Sequence, residues 1–116
     1  MARMRAAWFC ALALLLGGSA QAHAHLERSV PADGSVLHAP PARLVLLFSE
    51  PGRLTALWIE DAAGTRRSVA TLPDVSAREL TVTLPALAPG RYAIGWRVLS
   101  ADGHVMPGRI RFTITK

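Results

Sequence analysis

Cysteine is nearly missing from this 116-residue chain: Cys10 stands alone inside an apolar N-terminal run, so no internal disulfide is available. A lipid-bearing cysteine would close such a run, yet Ala11 to Leu16 still follow it. Long apolar stretches are missing too. The N-terminal one, Ala6 to Leu16, falls short of the ~20 residues that cross a bilayer as a helix, and no later segment does better. Beyond the first two dozen residues no segment carries an apolar stripe at helical spacing over three turns. Internal repeats and low-complexity tracts are absent as well. What remains is room for one domain with one modest core, held by packing alone.

The N-terminal segment MARMRAAWFCALALLLGGSAQA places Arg3 and Arg5 ahead of the apolar stretch and small residues after it. That order is a secretory signal, positive then apolar then cleavable. Ala20-Gln21-Ala22 satisfies the peptidase and predicts a signal peptide at 1–22 with a mature domain at 23–116 beginning at His23. A second frame, Ala22-His23-Ala24, would cut before His25; either cut exposes a histidine. The chain is therefore expected to be exported. Loss of Arg3 and Arg5 leaves 11 basic against 8 acidic side chains. The remaining basic residues are nearly all arginines scattered from Arg28 to Arg111, not clustered among aromatics as in a nucleic-acid reader. They read as solvated faces, and no nucleic-acid partner is expected. Arg109 and Arg111 alternate with Ile110 and Phe112, as on the wet side of a half-buried strand.

From Arg43 onward, apolar residues come in short runs rich in Val, Leu, Ile, Trp and Thr, each bounded by Pro, Gly or Asp. This predicts strands at Leu26 to Val30, Arg43 to Phe48, Thr55 to Glu60, Arg67 to Thr71, Glu79 to Leu84, Gly90 to Leu99 and Gly108 to Thr115. Turns are expected at Pro31 to Gly34, Pro51-Gly52, Asp61 to Gly64, Asp102-Gly103 and Pro107-Gly108, where Gly supplies positive φ and Pro presets the bend. The class is all-β, an antiparallel sandwich or barrel. Trp58, Trp96, Phe48, Tyr92 and Phe112 fall within these strands, and at least three are expected in the core.

After the leader only four histidines remain, His23, His25, His38 and His104. With His23 as residue one, its α-amine and ring Nδ1 close a six-membered chelate on one metal ion before any folding. Divalent copper prefers four N or O donors in a tetragonal array and tops the affinity order of its row, so such a terminus selects Cu(II). Asp102 and His104 offer a carboxylate and an imidazole two residues apart, with Gly103 between them to let the backbone bend. His38, before Ala39-Pro40-Pro41, has no partner pattern, and Glu50 reads as a strand-end carboxylate bonding loop amides.

Taken together, HAHLERSVPADGS, LVLLFSEP, GRYAIGWRVLSADGHVMPG and RFTITK closely resemble the CopC family of periplasmic copper-binding and copper-resistance proteins, over almost the whole mature chain. The most specific parts are the histidine eight positions before Pro31 and the WRVLSADGH block. The resemblance implies a seven-stranded antiparallel Greek-key β-sandwich, immunoglobulin-like or cupredoxin-like. It implies one Cu(II) per chain, held by the His23 amine and ring, the Asp102 carboxylate and the His104 ring, with His25 as a supporting or alternative ligand. It also implies a monomeric periplasmic carrier that is not an enzyme, with an inner-membrane copper transporter of CopD type as candidate recipient. Some relatives hold Cu(I) on a methionine-rich segment, since soft thioethers suit the monovalent ion. Here Met106 is the one methionine after the leader and Ala62 to Ser76 has none, so no Cu(I) site is expected; Met106 is assigned to packing.

The same residues admit other chemistries. A free amine with histidine at position three can wrap Cu(II) through backbone amides, without Asp102 or His104. Lytic polysaccharide monooxygenases also grip copper with an N-terminal histidine, although here a carboxylate would fill the place oxygen needs. An adhesion module without metal is a third class. Ser100, Asp102 and His104 suggest a hydrolase, but nothing resembles a strained nucleophile turn or an oxyanion hole.

Overall fold

The structure, a computed structural model, describes residues 24–116. The expected signal peptide at 1–22 and His23 lie outside the described residues. Seven strands follow in order: β1 (Leu26–Val30), β2 (Ser35–Leu37), β3 (Arg43–Asp61), β4 (Arg66–Ser68), β5 (Ala77–Thr83), β6 (Gly90–Ser100) and β7 (Val105–Ile114). No helix occurs among the described residues.

The all-β class and the strand count stand, but the strands are dealt differently. The two strands expected at Arg43 to Phe48 and Thr55 to Glu60 form one 19-residue strand, β3. Its first half pairs with β1 on one edge and β5 on the other, through Leu46↔Ser29 and Leu46↔Leu80. Its second half pairs with β6 and β4, through Trp58↔Gly95 and Trp58↔Ser68. Pro51-Gly52 is thus a corner where one strand passes from a small sheet (β1, β3, β5) to a larger one (β4, β3, β6, β7, β2), not a turn that ends it. Pro51 falls where the β5 ladder lapses, between Leu47 and Gly52, so its missing N–H costs no ladder bond there. A Cβ at Gly52 would run into the side chain of Val98, which requires glycine at this approach.

The inward face changes phase along β3. Leu44, Leu46, Phe48 and Leu54 are buried at even positions, then Leu57 and Ile59 at odd ones. The switch falls at the irregular register between Leu54 and Ala56, where one extra residue turns the rest of the strand over. These residues join Leu80 and Val82 of β5, Ile94, Trp96 and Val98 of β6, and Ile110, Phe112 and Ile114 of β7 in one core between the sheets. Trp96, Phe48 and Phe112 are the core aromatics. Trp58 lies on the outer face instead, and Tyr92 is half-buried, stacked 5.7 Å from Phe112.

Two further local readings change. β2 was not foreseen, and it pairs parallel with β7 in an otherwise antiparallel arrangement, Val36 opposite Thr113. The preceding turn is tied to β7 by Arg111 N–H donating to Asp33 Oδ1 at 2.8 Å and Gly34 N–H donating to the Arg111 carbonyl at 2.6 Å. Those two bonds steer the chain alongside β7 in the same direction. Pro107-Gly108 lies inside β7 and is not a turn. β2 reaches only Phe112 to Ile114, so Pro107 sits where the far edge of β7 is open. Gly108 faces Trp96 across the ladder, and a Cβ there would collide with the indole.

Candidate metal centre

β6 and β7 are joined by the loop Ala101 to His104. Gly103 N–H donates to the Ser100 carbonyl at 3.0 Å and Ser100 N–H to the His104 carbonyl at 2.9 Å, which closes the hairpin. Gly103 has φ +86°, the left-handed region that favours glycine, so the Asp-Gly-His order is what lets the loop fold back. Turn and candidate ligand pair are thus the same four residues.

Inside that loop Asp102 is the hub. Ser100, buried at the end of β6, donates its hydroxyl to Asp102 Oδ1, with the His104 carbonyl also 3.0 Å from Ser100 Oγ. His104 N–H donates to the same Oδ1 at 3.2 Å, and His104 Nδ1 lies 3.0 Å from Oδ2. The Ser100 hydrogen bond lowers the Asp102 pKa from 3.8 to about 2; partial desolvation opposes it, and the His104 amide and ring assist. Asp102 is therefore a carboxylate at every physiological pH. When Nδ1 carries the proton toward Oδ2, the ring lone pair sits on Nε2, the form in which imidazole ligates a metal.

The N-terminal entry to β1 lies at the same end of the domain. Ala24 is buried, and its Cβ lies 3.7 Å from where a Cβ on Gly52 would stand. Gly52 is the register partner of Ser100. His25 N–H donates to Ser49 Oγ at 2.9 Å while Ser49 N–H donates to the His25 carbonyl at 2.8 Å. This two-way clamp holds the entry segment against the corner of β3. Ala24 and His25 share a cleft of about 220 Å³ with Phe48, Trp96 and Met106. Met106 is half-buried there, in keeping with a packing role.

The structure thus brings Asp102 and His104 into direct contact and holds Ala24 at the same end. Among the described residues no three of His, Cys, Asp and Glu gather around one point, so His25 does not join that pair into a three-donor group. His23 falls outside the described residues. His38 lies elsewhere, its Nδ1 3.1 Å from Thr115 Oγ1. Glu50 is exposed within β3. Sequence reading missed Ser100 as the anchor of Asp102 and Ser49 as the anchor of His25. A buried serine two residues before an Asp-Gly turn was a usable signal for the first; nothing local marked the second.

Asp102 and His104 offer a carboxylate and an imidazole, O and N donors of the kind a tetragonal divalent copper ion takes. Ser100 Oγ bonds the carboxylate and a backbone carbonyl, not a ring nitrogen of His104. A serine nucleophile would need the reverse arrangement.

Comparison with known proteins follows the same line. The CopC domain model matches residues 26–115, a span that includes Asp102 and His104. Protein YobA of Escherichia coli (strain K12) is 31% identical over 105 residues, 86% of this chain and 85% of that one. Copper resistance protein C of Pseudomonas syringae pv. tomato is 28% identical over 120 residues, covering 90% of each. Among solved structures, CopC from Methylosinus trichosporium OB3b superposes with a TM-score of 0.71 at 31% identity, over 80% of this chain and 94% of that one. PcoC, a methionine-rich copper resistance protein from Escherichia coli, gives 0.62 at 29%, over 81% and 100%. Fold, hairpin and match along nearly all the described residues lead to one conclusion: this chain belongs to the CopC family.

Proposed function

We propose that this protein is an exported, non-catalytic copper carrier that binds one Cu(II) per chain at the β6–β7 end of the sandwich. Residues 1–22 are the signal peptide, 23–116 the mature domain, and the periplasm the compartment. The Asp102 carboxylate and the His104 ring supply two donors, and the amine and ring of His23 supply two more. His25 supports the site or substitutes in it. The protein sequesters copper or passes it on as a monomer, with an inner-membrane transporter of CopD type as the recipient.

One observation carries the reading: the hairpin holds Asp102 against His104 at 3.0 Å, at the end of the domain where Ala24, the residue after His23, is buried. A carboxylate has lone pairs enough to ligate a metal while keeping its contacts to Ser100 and His104. The family supports copper, since its members here include proteins named for copper resistance. The contrast with methionine-rich PcoC supports cupric rather than cuprous cargo, because Met106 is the only methionine from His23 onward.

Mass spectrometry of the protein purified after export, with and without Cu(II), tests this directly. The expected result is a chain that starts at His23 and gains the mass of one copper ion. A chain retaining residues ahead of His23, or one that stays metal-free with stoichiometric Cu(II), overturns the proposal.

A further inference from the structure

The outer face of the larger sheet carries a charge pattern that the copper site does not use. Outward positions can be read from the register. Trp58, Gly95 and Arg109 form one row across β3, β6 and β7; Glu60, Ala93 and Arg111 form the next, with Arg66 of β4 at its edge. Arg97 lies opposite Pro107 on the site-ward side, and Leu99 opposite Val105 beyond it. Leu99 directly precedes Ser100 and Val105 directly follows His104, so this face runs up to the rim of the metal centre.

Arg66, Arg91, Arg97, Arg109 and Arg111 are all exposed on this side. Glu60 is the only carboxylate in these rows. It accepts from Arg66 Nε at 3.3 Å and lies 3.9 Å from Arg109. Among the described residues no carboxylate stands in ion-pair range of Arg91, Arg97 or Arg111. The Trp58 ring lies over Gly95, where a Cβ would come within 2.5 Å of it, and the Arg66 and Arg97 guanidiniums sit 5.4 and 5.6 Å from its centroid. The smaller sheet is different: its outward rows set Arg43 beside Thr83, Val30 beside Val45 and Thr81, and Arg28 beside Leu47 and Glu79, two arginines with one glutamate and no aromatic ring.

We infer that the outer face of the larger sheet is a docking surface for a carboxylate-rich polypeptide partner. Guanidiniums match carboxylates as planar forks, and Trp with Arg is the composition of protein contact sites from which lysine is depleted. A face meant to enter a bilayer would raise apolar side chains among its cations. Here Trp58 packs over Gly95 among the arginines, and the exposed apolar side chains Leu99 and Val105 stand only at the edge of those rows. Four strands about 4.8 Å apart and eight residue steps of about 3.4 Å give a face roughly 27 Å by 15 Å, the size of a transient contact. The exposed pair Leu99 and Val105, 37% and 53% accessible, adds an apolar edge next to the metal loop. A partner seated here would have its own donors beside Asp102 and His104. The role of the contact rests on the carrier reading; the contact itself is measured in metal-free protein, so the two fail separately.

The test is an NMR titration of the exported, metal-free protein with poly-L-glutamate at low salt, in parallel with vesicles of phosphatidylglycerol. Amide shifts are expected on residues 58, 95–99 and 105–111 and not on 28–30, 45–47 or 79–81, with binding that weakens as salt rises. R97E/R111E is expected to bind poly-L-glutamate about tenfold more weakly with copper affinity unchanged, and R97Q/R111Q moves the same way should the reversed pair not fold. Shifts spread over both sheets, equal binding by the variants, or no binding at all overturn the inference. Capture by the vesicles without response to poly-L-glutamate also overturns it, in favour of a membrane.

Discussion

Two loops of the larger sheet use the same device and do different things. Between β3 and β4, Asp61 accepts the Ala63 and Thr65 amides, each at 3.0 Å, and Gly64 takes φ +85°. Between β6 and β7, Asp102 accepts the His104 amide, and Gly103 takes φ +86°. Both are aspartate-capped turns with a left-handed glycine. The second differs by two neighbours: a buried serine hydroxyl that holds the carboxylate from below, and an imidazole that meets it from the side. A turn becomes a candidate metal site when the capping carboxylate is fixed and kept charged while a second donor is set against it.

Substitutions that treat the two loops alike should separate them. D102A/H104A is expected to weaken Cu(II) binding more than about 100-fold, as removal of ligands exceeds the 10- to 100-fold seen for their supports. Competition titration with a chelator measures it, and affinity and spectrum surviving unchanged would favour wrapping by the N-terminal peptide alone. Adding one residue ahead of His23 turns the amine into an amide and should cost about tenfold or more in the same titration. A protein that tolerates the addition has no role for that amine.

S100A tests the serine that distinguishes the loops. Loss of its hydrogen bond should let the Asp102 pKa climb from about 2 back toward 3.8, read from the carboxyl carbon by NMR. The sign follows from the lowered folded value: the bond contributes stability above the ordinary carboxylate range and loses it as pH falls through about 2. S100A should also lower Cu(II) affinity about tenfold in the same competition titration, as expected for loss of a group that supports a ligand. The smallest effect on copper is expected from D61A. It should change affinity by less than about twofold, and cost about 1 kcal/mol in chemical unfolding from its two lost amide bonds.

Most of the fold was legible because strands with one wet face write their period of two into the sequence. Leu80, Val82 and Leu84 against Thr81 and Thr83 is an example, and all three leucine and valine positions are buried. Where reading failed, the cause lay across the sheet. Pro51-Gly52 looks like a turn, yet Gly52 is there because Val98 leaves no space for a Cβ, and Pro107-Gly108 looks like another, yet Gly108 seats Trp96. β2 is three residues long, too short for any period, and exists because Asp33 binds β7. That Asp102 and His104 meet was legible because both lie in one short Asp-Gly turn. Ser49 was not, since its link to His25 spans 24 positions. The wet side of β7 was read correctly from Arg109 and Arg111, but the guanidiniums over Trp58 depend on the register of three strands.

The unbroken passage of β3 from one layer to the other has a mechanical consequence. Layers joined only by loops can slide or peel apart while each stays intact; layers sharing a rod cannot. The corner of β3 makes this join beside the β6–β7 loop: Gly52 is paired with Ala77 of one layer and with Ser100, at the foot of that loop, in the other.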